Sequence, residues 1–200
     1  CLVGSEMCIR DRDRTMNDVV FDDGDTQGRN KTQAITEFIS YAYDELAKEG
    51  LFVSADVFGA IMRSEEDAAA VGQEYEDMAE HLDYICPMIY PSHYGPGNFG
   101  IEYPDTQPYD TILNALNGSR ELLAASAKDD TPQAVVRPWL QDFTASYLEH
   151  YIRYGDEQVR QQIQAVYDAG YDQWILWDAG VSYHYGGLLT PEEAAKEDER

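Results

Sequence analysis

A chain of 200 residues that is 44% hydrophobic, with 15 Tyr and 3 Trp, carries enough apolar surface for one globular core. Its 38 acidic residues against 14 basic ones leave a formal net charge of −24, which repels phosphate backbones and anionic lipid and argues against nucleic acid or a membrane surface as partner. So acidic and lysine-poor a surface suits adaptation to salt, or a cationic partner.

The three cysteines, Cys1, Cys8 and Cys86, show neither a paired framework nor metal-ligand spacing, and no metal or other cofactor is expected. No run of about 18 apolar residues occurs, so no membrane-spanning segment is expected. The opening Cys1 to Arg12, CLVGSEMCIRDR, resembles a peptide made when sequencing-adapter DNA is translated. Residues 1–14 are therefore expected to be a non-native leader, 15–189 the domain, and 190–200 a charged tail.

Residues 15–30 are rich in Asp, Gly and Asn without a sustained period and read as loop. From Lys31 the spacing of Ile35, Phe38, Ile39, Ala42 and Leu46 predicts a helix, with Gly50 as its stop. Leu51 to Gly59 (LFVSADVFG) follows as a strand, with Ser54 and Asp56 on the face of Phe52 and both faces largely apolar, as in a parallel strand covered on both sides. A charge survives in such a strand only near its end, beside water or a partner, so Asp56 is the residue to explain.

Ser64 ahead of Glu65, Glu66 and Asp67 starts a capped helix with Val71, Tyr75, Met78 and Leu82 as its buried stripe. Tyr84 to Tyr90 is a second strand, in which Pro87 implies a bulge or an irregular course. GPGNFG at 95–100 matches a dinucleotide-binding pattern literally, but Pro96 and the lack of a following helix make it a long loop over a site. Tyr109 to Ala125 is helical, with Asn117-Gly118-Ser119 a chance glycosylation pattern inside it. Gln133 to Gln141 is the third strand, with Arg137, Trp139 and Gln141 on one face. A helix with Val159, Ile163 and Val166 buried then runs to Gly170, and Gln173 to Asp178 is the fourth strand.

Four strands separated by helices make a βαβ series, hence an α/β fold with a parallel sheet. Polar residues gather at the carboxyl ends of its strands: Asp56, then Tyr90 and His93, then Trp139, Gln141 and Asp142, then Trp177 and Asp178. Sites lie there in α/β barrels and open sheets alike. No G-x-S-x-G, H-E-x-x-H or P-loop occurs, and His81, His93, His150 and His184 are scattered. Carboxylates flanked by Tyr and Trp remain, the combination for stacking a sugar ring and attacking its anomeric carbon.

Each candidate also has a plainer explanation. The tryptophans serve a core, His93 is a solvated loop residue, Arg137 is an ion-pair partner, and Asp142 or Asp178 caps the next segment.

VSADVFG at 53–59, DYICPMIYPSHY at 83–94, RPWLQDF at 137–143 and WILWDAG near the end together resemble a bacterial family of glycosyl hydrolase domains, formerly a domain of unknown function, with a (β/α)8 barrel. The resemblance covers residues 30–189. It implies the C-terminal half of a TIM barrel with four parallel β/α units, with the family's earlier strands and their acidic motif missing upstream of residue 15. It also implies a glycoside hydrolase that is exported or associated with the cell envelope. The expected catalytic residues are Asp56 and Asp178, working as paired carboxylates on a polysaccharide or oligosaccharide. Tyr90, His93, Arg137, Trp139, Gln141, Asp142 and Trp177 are expected to bind substrate. The alternative is a non-catalytic barrel that binds glycan through Tyr90, Trp139 and Trp177.

Overall fold

The computed structural model describes residues 30–128 and 131–188, with Thr190, Glu193 and Lys196. The expected leader, Cys1 and Cys8, the loop before Asn30 and most of the charged tail lie outside the described residues. The chain divides into two units, Cys1–Met88 with Asn117–Pro138, and Ile89–Leu116 with Trp139–Arg200.

The first unit opens with α1 (Lys31–Ala47), started by a capping box in which the Asn30 side chain accepts from Gln33 N and the Gln33 side chain accepts from Asn30 N. Of its predicted stripe only Ile39 is buried, while Phe38 and Leu46 are 57% and 40% exposed. Strand β1 (Ser54–Phe58) is shorter than predicted, and Leu51 and Phe52 ahead of it are exposed. Ala55 and Val57 form its buried side. Ser54, Asp56 and Phe58 point the other way and are not buried, so the expectation of two covered faces holds for one face only.

The single helix predicted after Ser64 is two. Ser64 does cap α2 (Glu65–Val71), its hydroxyl accepting from Asp67 N at 3.1 Å. Gly72 then adopts φ 74°, closes the helix with its N–H on Ala68 O, and leaves no room for a side chain, since a Cβ there would stand 2.5 Å from Lys31 Cγ. The chain restarts as α3 (Tyr75–Ala79), and Tyr75, Met78 and Leu82 are buried as the spacing predicts.

Strand β2 (Tyr84–Ile89) pairs in parallel with β1, Asp56 opposite Cys86 and Val57 opposite Pro87, without the bulge that Pro87 suggested. The reason is local. Ile85 O accepts from Arg137 N, so Pro87, two residues on, faces the same side of β2 as β3 (Val135–Val136) but lies beyond their last register pair, Ile85 and Val136. Lacking an N–H there, Pro87 gives up no bond to β3. The same break, at Arg137-Pro138, divides the predicted third strand into β3 and β4 (Trp139–Gln141). Between β2 and β3 runs α4 (Pro108–Ser126), on which Ser119 is wholly buried and shares a 2.8 Å hydrogen bond with Tyr75 Oη. The Asn117-Gly118-Ser119 pattern therefore belongs to helix packing.

In the second unit β4 pairs in parallel with β5 (Ile175–Trp177), Trp139 opposite Ile175 and Gln141 opposite Trp177. Between them α5 (Asp156–Asp168) buries Val159, Ile163 and Val166, and Gly170 at φ 87° follows it, both as predicted. Gln162 on α5 reaches β4, its Oε1 accepting from Gln141 N at 3.0 Å and its Nε2 donating to Gln141 O at 2.7 Å. Every pairing described here is parallel, and a helix intervenes between β1 and β2, β2 and β3, and β4 and β5. The α/β class with serial β/α units is thus what the structure shows. Among the described residues no helix is long and apolar enough to cross a membrane.

Candidate active-site residues at the strand ends

In the first unit Asp56, Cys86 and Arg137 stand abreast on three parallel strands or their extensions. Asp56 and Cys86 are register partners, and Arg137 follows Val136, the partner of Ile85. The Arg137 guanidinium lies 3.8 Å from the centre of the Tyr84 ring, a cation on an aromatic face. The Cys86 thiol between them is 2% exposed and pushed up to about 12, first by burial, then by the negative charge of Asp56, with Arg137 opposing. Such a thiol is a core side chain and not a nucleophile. Asp56, half-buried, is the chemically competent group of this cluster. An apolar hollow between α1 and β1, lined by Ile35, Phe38, Ile39 and Ala55, also reaches Asp56.

The second unit holds the remaining candidates. Tyr90 is buried, with its ring edge-on to His93 at 5.0 Å and to Phe143 at 5.9 Å. His93 is exposed. Trp139 and Trp177 meet edge to face at 5.8 Å, and Trp177 is 42% exposed, leaving indole surface open for stacking. Trp174, by contrast, uses its indole N–H on Tyr167 Oη.

Two residues expected to touch substrate are internal. Gln141 is wholly buried and its amide is internally bonded: Oε1 accepts from Ser92 N, and Nε2 donates to Asp105 Oδ1 and Phe143 O, each at 3.0 Å. Both donors are used and the remaining lone pair of Oε1 is sealed by burial, so the amide does not reach a sugar hydroxyl. Asp142 is 1% exposed, with both carboxylate oxygens engaged by His184. Asp178 follows β5 directly and closes the next turn, its Oδ2 accepting from Ser182 N at 2.8 Å and its carbonyl from Val181 N at 3.1 Å. That is the capping role its sequence position also allowed.

Two residues were missed by the sequence reading. Asp105 is 2% exposed and collects Gln141 Nε2 on Oδ1, Ile152 N on Oδ2 at 3.3 Å, and Tyr154 Oη on its carbonyl oxygen at 3.1 Å. Burial raises its carboxyl above the usual range, while hydrogen bonds from Gln141, Ile152 and Tyr154 pull the other way. His184 is one of four histidines scattered along the sequence, and its partner lies 42 residues away. Among the described residues no group of three or more His, Cys, Asp and Glu side chains is placed to hold a metal ion.

Parallel β/α units with polar and aromatic residues at or beyond the strand ends define an α/β protein as the class to compare. Residues 8–183 match the model of the family described as "Putative glycosyl hydrolase domain", and the chain belongs to that family. No curated protein matches the chain. Among solved structures, the spore cortex-lytic enzyme SleL of Bacillus megaterium QM B1551 has a similar fold, with a TM-score of 0.53 at 10% identity over 82% of this chain and 46% of that one. The glycoside hydrolase domain of PgaB (BpsB) from Bordetella bronchiseptica aligns with a TM-score of 0.46 at 12% identity, over 84% of this chain and 44% of that one. The chain thus spans about half the length of these two structures.

Proposed function

We propose that the protein is a glycoside hydrolase acting on a polysaccharide, with Asp56 as a catalytic carboxylate. Membership of a glycosyl hydrolase family carries the reaction class. The position of Asp56 supports the residue assignment: β1 pairs with β2 on both sides of it, so sheet fixes its backbone while its side chain stays half-buried rather than sealed. Fixing matters, because a displacement of about 1 Å can lower a rate on the order of a hundredfold. Hydrolysis by paired carboxylates takes two acids. Asp178, directly after β5 in the second unit, is the reserve carboxylate on its chemistry, with Oδ2 accepting from Ser182 N. Trp177 and Trp139 supply a stacking surface, and Arg137 on Tyr84 supplies a positioned donor.

A second reading, glycan binding without cleavage, is favoured by one observation, the exposed Trp177 face held edge-on by Trp139. Release of reducing ends from a panel of soluble polysaccharides, measured beside retention on the same polysaccharides, separates the two. Hydrolysis is expected. Retention of a glycan with no new reducing ends would support the binding module instead.

A further inference from the structure

Asp142 gives both its oxygens to one residue. Oδ2 accepts the His184 backbone N–H at 2.9 Å, and Oδ1 stands 2.6 Å from His184 Nδ1. The Asp142 amide donates to Trp177 O at 2.9 Å, which ties this carboxylate to the end of β5. A carboxylate accepts and does not donate, so the proton between them sits on Nδ1, and whenever the imidazole is neutral its lone pair is left on Nε2. The His184 side chain is 41% exposed, against 0% for that of Asp142, and Nε2 has no hydrogen-bond partner among the described residues. The segment that delivers it is strained: Val181, β-branched and 76% exposed, holds φ 55°, a conformation such residues rarely adopt. A buried carboxylate orienting an exposed imidazole is the arrangement that turns a histidine into a proton acceptor of fixed direction.

We propose that Asp142 and His184 form a proton-transfer dyad, in which Asp142 positions the ring and Nε2 of His184 takes or returns a proton at a hydroxyl of a glycan stacked on Trp177. The glycan half rests on the hydrolase reading above; the dyad itself does not. His184 lies one residue beyond the segment matched by the family.

Asp142→Asn gives a sharp test, because the backbone N–H of His184 still needs an acceptor. The Asn oxygen takes that role, its NH2 then faces Nδ1, and the ring must move its proton to Nε2, losing the outward lone pair. Two measurements need no glycan. Long-range proton–nitrogen NMR of the imidazoles reads the tautomer, which should be Nδ1–H in the native protein and Nε2–H in Asp142→Asn. Diethyl pyrocarbonate reads nucleophilicity: an imidazole nitrogen attacks its carbonyl carbon, keeps the ethoxycarbonyl group and expels ethyl carbonate. Site-resolved mass spectrometry should find His184 acylated faster than the more exposed His93 and His150, and slowed at least about tenfold by Asp142→Asn while those two stay unchanged. An Nε2–H tautomer in the native protein, or His184 acylation indifferent to Asp142→Asn, overturns the dyad. Should the variant fail to fold, the native tautomer decides alone. For the glycan half, His184→Ala should lose polysaccharide hydrolysis and regain part of it in added imidazole, a rescue that a merely structural residue does not show. Native protein that cuts no polysaccharide overturns that half together with the hydrolase reading, and leaves the acylation result to decide the dyad.

Discussion

Gln141 Nε2 donates to Asp105 Oδ1 at 3.0 Å, a contact across 36 residues in which both partners are buried. It joins the end of β4 to the segment ahead of α4, and through Ser92 N it also holds the turn after β2. The polar residues at this strand end are therefore of two kinds, some facing outward and others fastening the loops that carry them.

The fastening makes a prediction about stability. Asp105→Asn keeps the size of the side chain but replaces one acceptor oxygen by an NH2, which must face either the Gln141 amide or the Ile152 N–H. Donor against donor in a buried site should cost about 1–3 kcal/mol. Urea unfolding should show that loss, and Gln141→Ala should destabilise as well by leaving Ser92 N and Asp105 Oδ1 unpaired.

A second prediction follows from Cys86. Its thiol is held protonated when folded, with the carboxylate of Asp56 adding to the effect of burial. The folded pKa is raised, so the contribution to stability is present below the ordinary thiol value, about 8.5, and is lost as pH rises toward about 12. Cys86→Ala should flatten the alkaline fall in melting temperature over that window. A thiol reagent added to folded protein at neutral pH should leave Cys86 unmodified, and rapid modification would contradict its burial.

How far these features could be seen in the sequence depends on the distance over which they act. The apolar spacing of α1 is local, and so the helix is legible in the sequence. So are the parallel strand at Asp56 and the Ser64 cap. The break at Arg137-Pro138 is legible in principle, since proline ends a ladder, although residue types alone make Gln133 to Gln141 one strand. The internal role of Gln141 was not legible. An amide at a strand end has the same spelling whether it faces a sugar or Asp105, and only the chain 36 residues away decides which. The same holds for Asp142, whose partner His184 lies 42 residues away. The expected stripe of α1 erred in the other direction: spacing shows which residues share a face, but nothing about whether that face is covered, and Phe38 is 57% exposed.

The charge of −24 gives a third prediction. Like charges on so small a surface repel one another, and salt screens that repulsion over a Debye length of about 8 Å at physiological strength. Melting temperature should rise from low salt to molar salt, and rise more in sodium sulfate, which also strengthens apolar burial. A melting point indifferent to sodium chloride would remove salt adaptation as the reason for the acidic composition.

The central claim is the catalytic role of Asp56, and Asp56→Asn tests it most directly, since the amide keeps size and much of the hydrogen bonding but removes the negative charge. Initial rates of reducing-end release should be measured for the native protein and the variant on the same polysaccharide, with melting temperature and glycan retention recorded beside them. The account predicts a fall in turnover of about a hundredfold to ten-thousandfold, with retention and melting temperature little changed. Turnover close to that of the native protein would contradict it, and loss of folding without separate loss of turnover would instead make Asp56 a structural partner of the Cys86 and Arg137 cluster.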